Sequence, residues 1–139
     1  ALSPSAKVHS DPTFLAALER MHALKTGALI RAAVRMGAVA AGIEHPRVAQ
    51  LDRYASALGL AFQIQDDILD VEGDSHSLGK TAGKDAAQDK LTYPALLGLD
   101  GAKTRLQALA ATMHEALSEF DTGADALRAL AALTVQRRH

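Results

Sequence analysis

The sequence predicts an all-α protein. Alanine is abundant, aromatic residues make up only 4% of the chain, and the 48% that is hydrophobic recurs at helical spacing. That combination suits closely packed helices better than sheets, which draw on β-branched and aromatic side chains. The 139 residues suffice for one domain with its own core and fall short of two. A formal net charge of -1 gives no cationic excess for nucleic acid or an anionic membrane surface, so neither is an expected partner. With no cysteine, disulfides and thiolate metal sites are excluded, which fits a reducing compartment. There is no leader-like or membrane-length apolar run, and the expected location is the cytoplasm.

The elements come in order. Residues 1–10, "ALSPSAKVHS", carry no apolar period and read as a loose arm. Asp11 and Pro12 offer an N-cap and a first-turn proline for a helix that Gly42 can end, with an interruption near Gly27. Ala28, Ala32, Gly37 and Ala41 are small enough to admit another helix closely. Pro46 starts a second helix with Leu51, Tyr54, Leu58, Phe62, Gln65 and Leu69 on one side and Leu60, Ile64, Ile68 and Val71 on another. Apolar residues on so many faces predict a helix inside the bundle. Eighteen glycine- and lysine-rich residues from Gly73 to Lys90 read as a loop of a length that usually carries function. "TYPALLGLDG" suggests a short helical turn, with Asp100 free to cap the next helix. Leu106, Leu109, Met113, Leu117 and Phe120 then form one stripe, and a last helix spans about Ala124 to Gln136.

The chemistry concentrates in "FQIQDDILD", Phe62 to Asp70. Gln63, Asp66, Asp67 and Asp70 stand at i, i+3, i+4 and i+7, one helical face. Like charges at such neighbours cost about 0.2–0.5 kcal/mol per pair, and more when buried. A cation relieves this, and carboxylate oxygens suit a hard ion: magnesium takes one or two of them, waters and the oxygens of a phosphate. A solvated acidic face is the other reading of such a stripe. Lys25 and Thr26 on the preceding helix, and Lys80, Lys84 and Lys90 on the loop, surround it with phosphate-binding groups.

Three segments carry a resemblance: "KTG" at Lys25 to Gly27, "FQIQDDILD", and "GKTAGKDAAQDKLTYPALLG" at Gly79 to Gly98. In order and spacing they resemble the trans-isoprenyl (polyprenyl) diphosphate synthases, and among these the bacterial farnesyl diphosphate enzymes (geranyltranstransferases), from about Leu18 to Arg138. The resemblance implies an isoprenoid synthase-type helical bundle that joins an allylic diphosphate (dimethylallyl or geranyl diphosphate) to isopentenyl diphosphate, a prenyltransferase reaction of isoprenoid biosynthesis. It further implies a homodimer in the full-length protein. Asp66, Asp67 and Asp70 would be the second aspartate-rich motif (DDxxD) and hold Mg2+. Lys25 and Lys80 would grip the allylic diphosphate, with Lys90 assisting. Thr26, Gln63 and backbone carbonyls near Lys25 would face the carbocation. Phe62 would lie near isopentenyl diphosphate, whose phosphates Arg137 and Arg138 would meet. Asp85, Lys90 and Tyr93 also match family positions, where loop-stapling and capping serve equally well.

The family's first aspartate-rich motif, DDxxxxD with paired arginines, is not in this sequence, where Asp66-Asp67 is the one adjacent aspartate pair. Residues 1–139 therefore read as the C-terminal portion of a synthase, inactive alone. A start without methionine points to a piece of a longer protein; a split enzyme and a non-catalytic diphosphate-binding or regulatory module are the alternatives.

Overall fold

Asp11 and Pro12 open the first helix as their residue types dictate. In the computed structural model, which describes residues 11–76 and 91–139, Asp11 is extended and its carboxylate accepts the Thr13 N–H at 2.9 Å. Pro12, which has no N–H to waste, takes the first turn. Helix α1 runs Pro12–His22, passes into a π-turn at Ala23–Gly27, and continues as α2, Ala28–Ala40. The interruption expected near Gly27 is thus a stretch of π geometry, in which hydrogen bonds span five residues and the local backbone bulges. Gly42 stops the segment at φ 69, a left-handed conformation that costs glycine little.

Helix α3, Arg47–His76, is about 45 Å long at 1.5 Å per residue, and every other α-helix packs against it. Its buried residues, among them Leu51, Tyr54, Ala57, Leu58, Ala61, Ile64 and Ile68, lie on several faces, as the interior position requires. Phe62 and Val71 depart from expectation, being 39% and 38% exposed. The helix also reaches His76, so the first residues of the expected loop are helical.

Helix α4, Tyr93–Ala116, is capped by Thr92, whose hydroxyl accepts the Ala95 N–H at 3.2 Å. Gly98, at φ 75 and ψ 165, breaks it after one turn, which matches the short turn expected there, and Thr92 caps that turn. A 3-10 turn at Thr122–Ala124 leads into α5, Asp125–Gln136. No strand occurs among the described residues, and the all-α expectation holds.

Leu18 of α1, Ala38 of α2, the α3 row and Tyr93, Ala102, Leu106, Leu109 and Met113 of α4 form one core. Full burial of an isoleucine or leucine is worth about 1.5–3 kcal/mol, so Ile64 and Ile68 fix the rotation of α3 and with it the direction of the polar residues between them. The small residues Ala28, Ala32, Gly37 and Ala41, expected to admit another helix closely, are exposed. Ala28 and Ala32 share an exposed apolar face with Leu29, Met36 and Val39, each of the last three at least 73% exposed. Patches of that kind mark places where something else packs.

Candidate functional site

The site begins with a contact between two glycines. A Cβ placed on Gly59 would lie 3.0 Å from the Cα of Gly27, so the π-turn rests directly on the α3 backbone. One turn further along α3, Gln63 therefore meets the π-turn, and the Thr26 hydroxyl donates to Gln63 Oε1 at 3.4 Å. KTG and FQIQDD, 37 residues apart in sequence at this contact, are brought together. Gly59 carries no chemistry of its own and sequence reasoning passed over it; its signal was a glycine inside a strongly apolar helix.

The carboxylates divide their work. Asp67 Oδ2 accepts the Tyr93 backbone N–H at 3.1 Å, taking one of the amides left open at the start of α4. Asp66 pairs through Oδ1 with Arg137 Nη2. Arg137 Nη2 also donates to the Phe62 carbonyl at 3.0 Å, and its guanidinium lies 4.5 Å from the centre of the Phe62 ring. Gln65, buried, returns the contact by donating Nε2 to the Arg137 carbonyl at 2.7 Å. Asp70 is exposed one turn beyond Asp66 on the same side. Asp66, Asp67 and Asp70 share a helix yet do not gather at one point: among the described residues no group of three or more His, Asp or Glu side chains is placed to hold a metal ion. Asp67 turns toward α4 and Asp66 toward Arg137.

Beneath this face lies a buried aromatic pair. His22, just before the π-turn, stacks on Tyr93 with ring centroids 5.7 Å apart. Among the described residues, neither imidazole nitrogen nor the Tyr93 hydroxyl finds a hydrogen-bond partner. Burial, and then the nearby charge of Lys25, pushes the His22 pKa down; burial, reinforced by Glu19, pushes the Tyr93 hydroxyl up. Glu19 in turn holds Arg105 at 2.8 Å, tying α1 to α4.

Of the predicted residues, Thr26, Gln63, Phe62, Asp66 and Arg137 lie along one face of α3. Lys25 and Arg138 are exposed. Lys80, Lys84, Asp85 and Lys90 lie outside the described residues.

A divalent cation fits this face in part. Asp66 and Asp70 offer hard oxygen donors a turn apart, the number that magnesium takes from protein while water and phosphate complete its shell. That Asp66 already draws in a guanidinium shows that a positive charge is favoured there.

Residues 5–130 match the family model described as polyprenyl synthetase. The chain belongs to the polyprenyl synthetase family. Over 127 residues it is 51% identical to the farnesyl diphosphate synthase of Escherichia coli K12, covering 88% of this chain and 42% of that protein. With a chloroplastic geranylgeranyl pyrophosphate synthase 7 of Arabidopsis thaliana it shares 47% over 108 residues, covering 78% of this chain and 31% of that one. A crystal structure described as a candidate farnesyl-diphosphate synthase from Marinomonas sp. MED121 superposes with a TM-score of 0.72 at 45% identity, covering 88% of this chain and 40% of that one. The chain thus spans about 42% of the E. coli relative's length.

Proposed function

We propose that this chain supplies the diphosphate-holding half of a prenyltransferase, one that condenses an allylic diphosphate with isopentenyl diphosphate toward farnesyl diphosphate. The observation that carries the reading is the Thr26–Gln63 contact, which seats KTG against the carboxylate-bearing face of α3.

In the reaction, the allylic C1–O bond breaks and its electron pair leaves with the diphosphate. The double bond of isopentenyl diphosphate then attacks C1, and loss of a proton restores an alkene. Magnesium, when bound, neutralises the charge that develops on the departing diphosphate. Asp66 and Asp70 would hold it, with Asp67 primarily positioning α4. Lys25 lies at the π-turn, where its ammonium would meet the diphosphate, and the resemblance gives Lys80 and Lys90 the same task. Thr26 directs its proton to Gln63, which leaves hydroxyl lone pairs, and carbonyls of the bulged π-turn, available to an electron-poor carbon. Phe62, half exposed beside this row, supplies a π-face for the isopentenyl chain, and Arg137 and Arg138 are the cations nearest to its phosphates.

The outward apolar face of α2 supports a reading in which the remainder of a synthase bundle packs there. Homodimerisation of the full-length protein belongs to the same reading. The experiment is to mix this chain with the N-terminal portion of a related synthase and follow isotope-labelled isopentenyl diphosphate. Turnover in the mixture and none with the chain alone are expected; binding of pyrophosphate with no turnover in any mixture would instead identify a non-catalytic diphosphate-binding module. That second reading draws on the absence of a three-carboxylate cluster among the described residues.

A further inference from the structure

Arg137 leaves the end of α5 in an extended conformation and is fastened to α3 over little more than one turn. It reaches the Phe62 ring and carbonyl and the Asp66 carboxylate, while Gln65 holds its backbone. The fastening is incomplete. Arg35 grips Asp52 as a fork, with Nε and Nη2 on both oxygens at 2.8–3.1 Å. Arg137 uses Nη2 alone on Asp66, and its Nε is buried without a partner among the described residues. A guanidinium held by one donor, with another left unsatisfied in the interior, is weakly committed to its place. It is also a positive charge on an oxygen proposed above to hold a divalent cation. Two cations on one carboxylate oxygen repel each other, so both do not share it.

We propose that Arg137 is a built-in counter-cation that competes with the divalent ion for Asp66, so that metal binding and release of the C-terminal segment from Phe62 and Gln65 are one event. Until the ion arrives, the arginine keeps the acidic face neutral and its carboxylate oriented. Once displaced, the guanidinium is free to turn its unsatisfied donors toward a phosphate. The inference rests on Asp66 being a metal ligand.

The test uses the whole chain with Mn2+ as the probe, its free concentration read by electron paramagnetic resonance, with and without inorganic pyrophosphate. Arg137→Gln is expected to tighten Mn2+ binding about 5–10-fold, because the ion no longer has to displace the guanidinium from Asp66. Arg137→Lys is expected to fall between, and Asp66→Asn to abolish binding in either background. A second readout needs no substitution at Arg137. The protein has three phenylalanines, so fluorophenylalanine labelling gives three 19F signals, of which Phe62→Leu assigns one. Mg2+ is expected to move the Phe62 signal as the guanidinium leaves the ring. Circular dichroism verifies that each variant is folded. If Asp66→Asn abolishes binding while Arg137→Gln leaves it unchanged or weaker, or if saturating Mg2+ leaves the Phe62 signal in place, the competition is disproved and the metal site stands. If Asp66→Asn leaves binding intact, the metal reading fails and this inference fails with it.

Discussion

Gly27 and Gly59 meet backbone to backbone, at 3.0 Å between the Gly27 Cα and the place a Gly59 Cβ would occupy. This contact seats the π-turn on α3 and makes the Thr26–Gln63 hydrogen bond geometrically accessible. In Gly59→Ala the new methyl meets main chain, which has no flexible end to swing aside. Overpacking costs about 1–3 kcal/mol, and the better helix propensity of alanine returns about 1. A net loss of about 1 kcal/mol is expected in urea unfolding, with weaker pyrophosphate binding because Thr26 moves off Gln63. Unchanged stability and binding would show that the close approach is not required.

Asp67→Ala removes the acceptor for the Tyr93 N–H. Loss of a capping acceptor costs about 0.5–2 kcal/mol. The expected signature is faster amide hydrogen exchange confined to the first turn of α4, with Tyr93 leading. Asp66→Ala should not produce it, since Asp66 faces α5 instead; equal exchange in the two variants would contradict the division of labour between these neighbours.

His22 sets an acid limit on stability. Its folded pKa lies below the ordinary value of about 6.5, so the unfolded chain takes up the proton first. The stabilisation from keeping a neutral imidazole buried is fully present above pH 6.5 and is lost as pH falls through that value toward the lower folded pKa. His22→Phe keeps a ring against Tyr93 and should flatten the fall in stability between pH 7 and 5, measured by urea midpoints. A slope identical to that of the parent protein would place the titration elsewhere.

Tyr54 sets the matching alkaline limit. Burial pushes its hydroxyl up to about 12, and that hydroxyl donates to the Leu127 carbonyl at 2.7 Å, joining α3 to α5. Stability should hold below pH 10 and decline as pH rises from 10 through about 12, because the unfolded tyrosine loses its proton first. Tyr54→Phe is expected to cost about 1 kcal/mol at neutral pH and to remove that part of the alkaline decline, read by thermal melts from pH 8 to 11.

Local rules were enough to place most of the fold. The Asp11-Pro12 start, the Gly42 stop, the interruption near Gly27 and the buried Ile64 and Ile68 row each come from residue type or spacing over a few residues. Spacing does not encode the partner across the bundle. Asp66 and Asp67 are adjacent in sequence and about 100° apart on the helix, so one finds Arg137 and the other the Tyr93 amide, 71 and 26 residues away. The outward direction of Ala28, Ala32 and Gly37 was equally illegible, since a small apolar residue fits both a close helix contact and a face that something else covers. Gly59 was not legible either, because a helix-interior glycine has meaning only when the backbone opposite is known.

The most direct measurement is isothermal calorimetry of pyrophosphate with the intact chain in Mg2+, comparing the parent with Asp66→Ala. The account predicts saturable, metal-dependent binding in the parent and at least a 100-fold loss in the variant, about 2.8 kcal/mol at 1.4 per decade, with little change in unfolding midpoint. Equal affinity in both proteins, or binding indifferent to the metal, would contradict it.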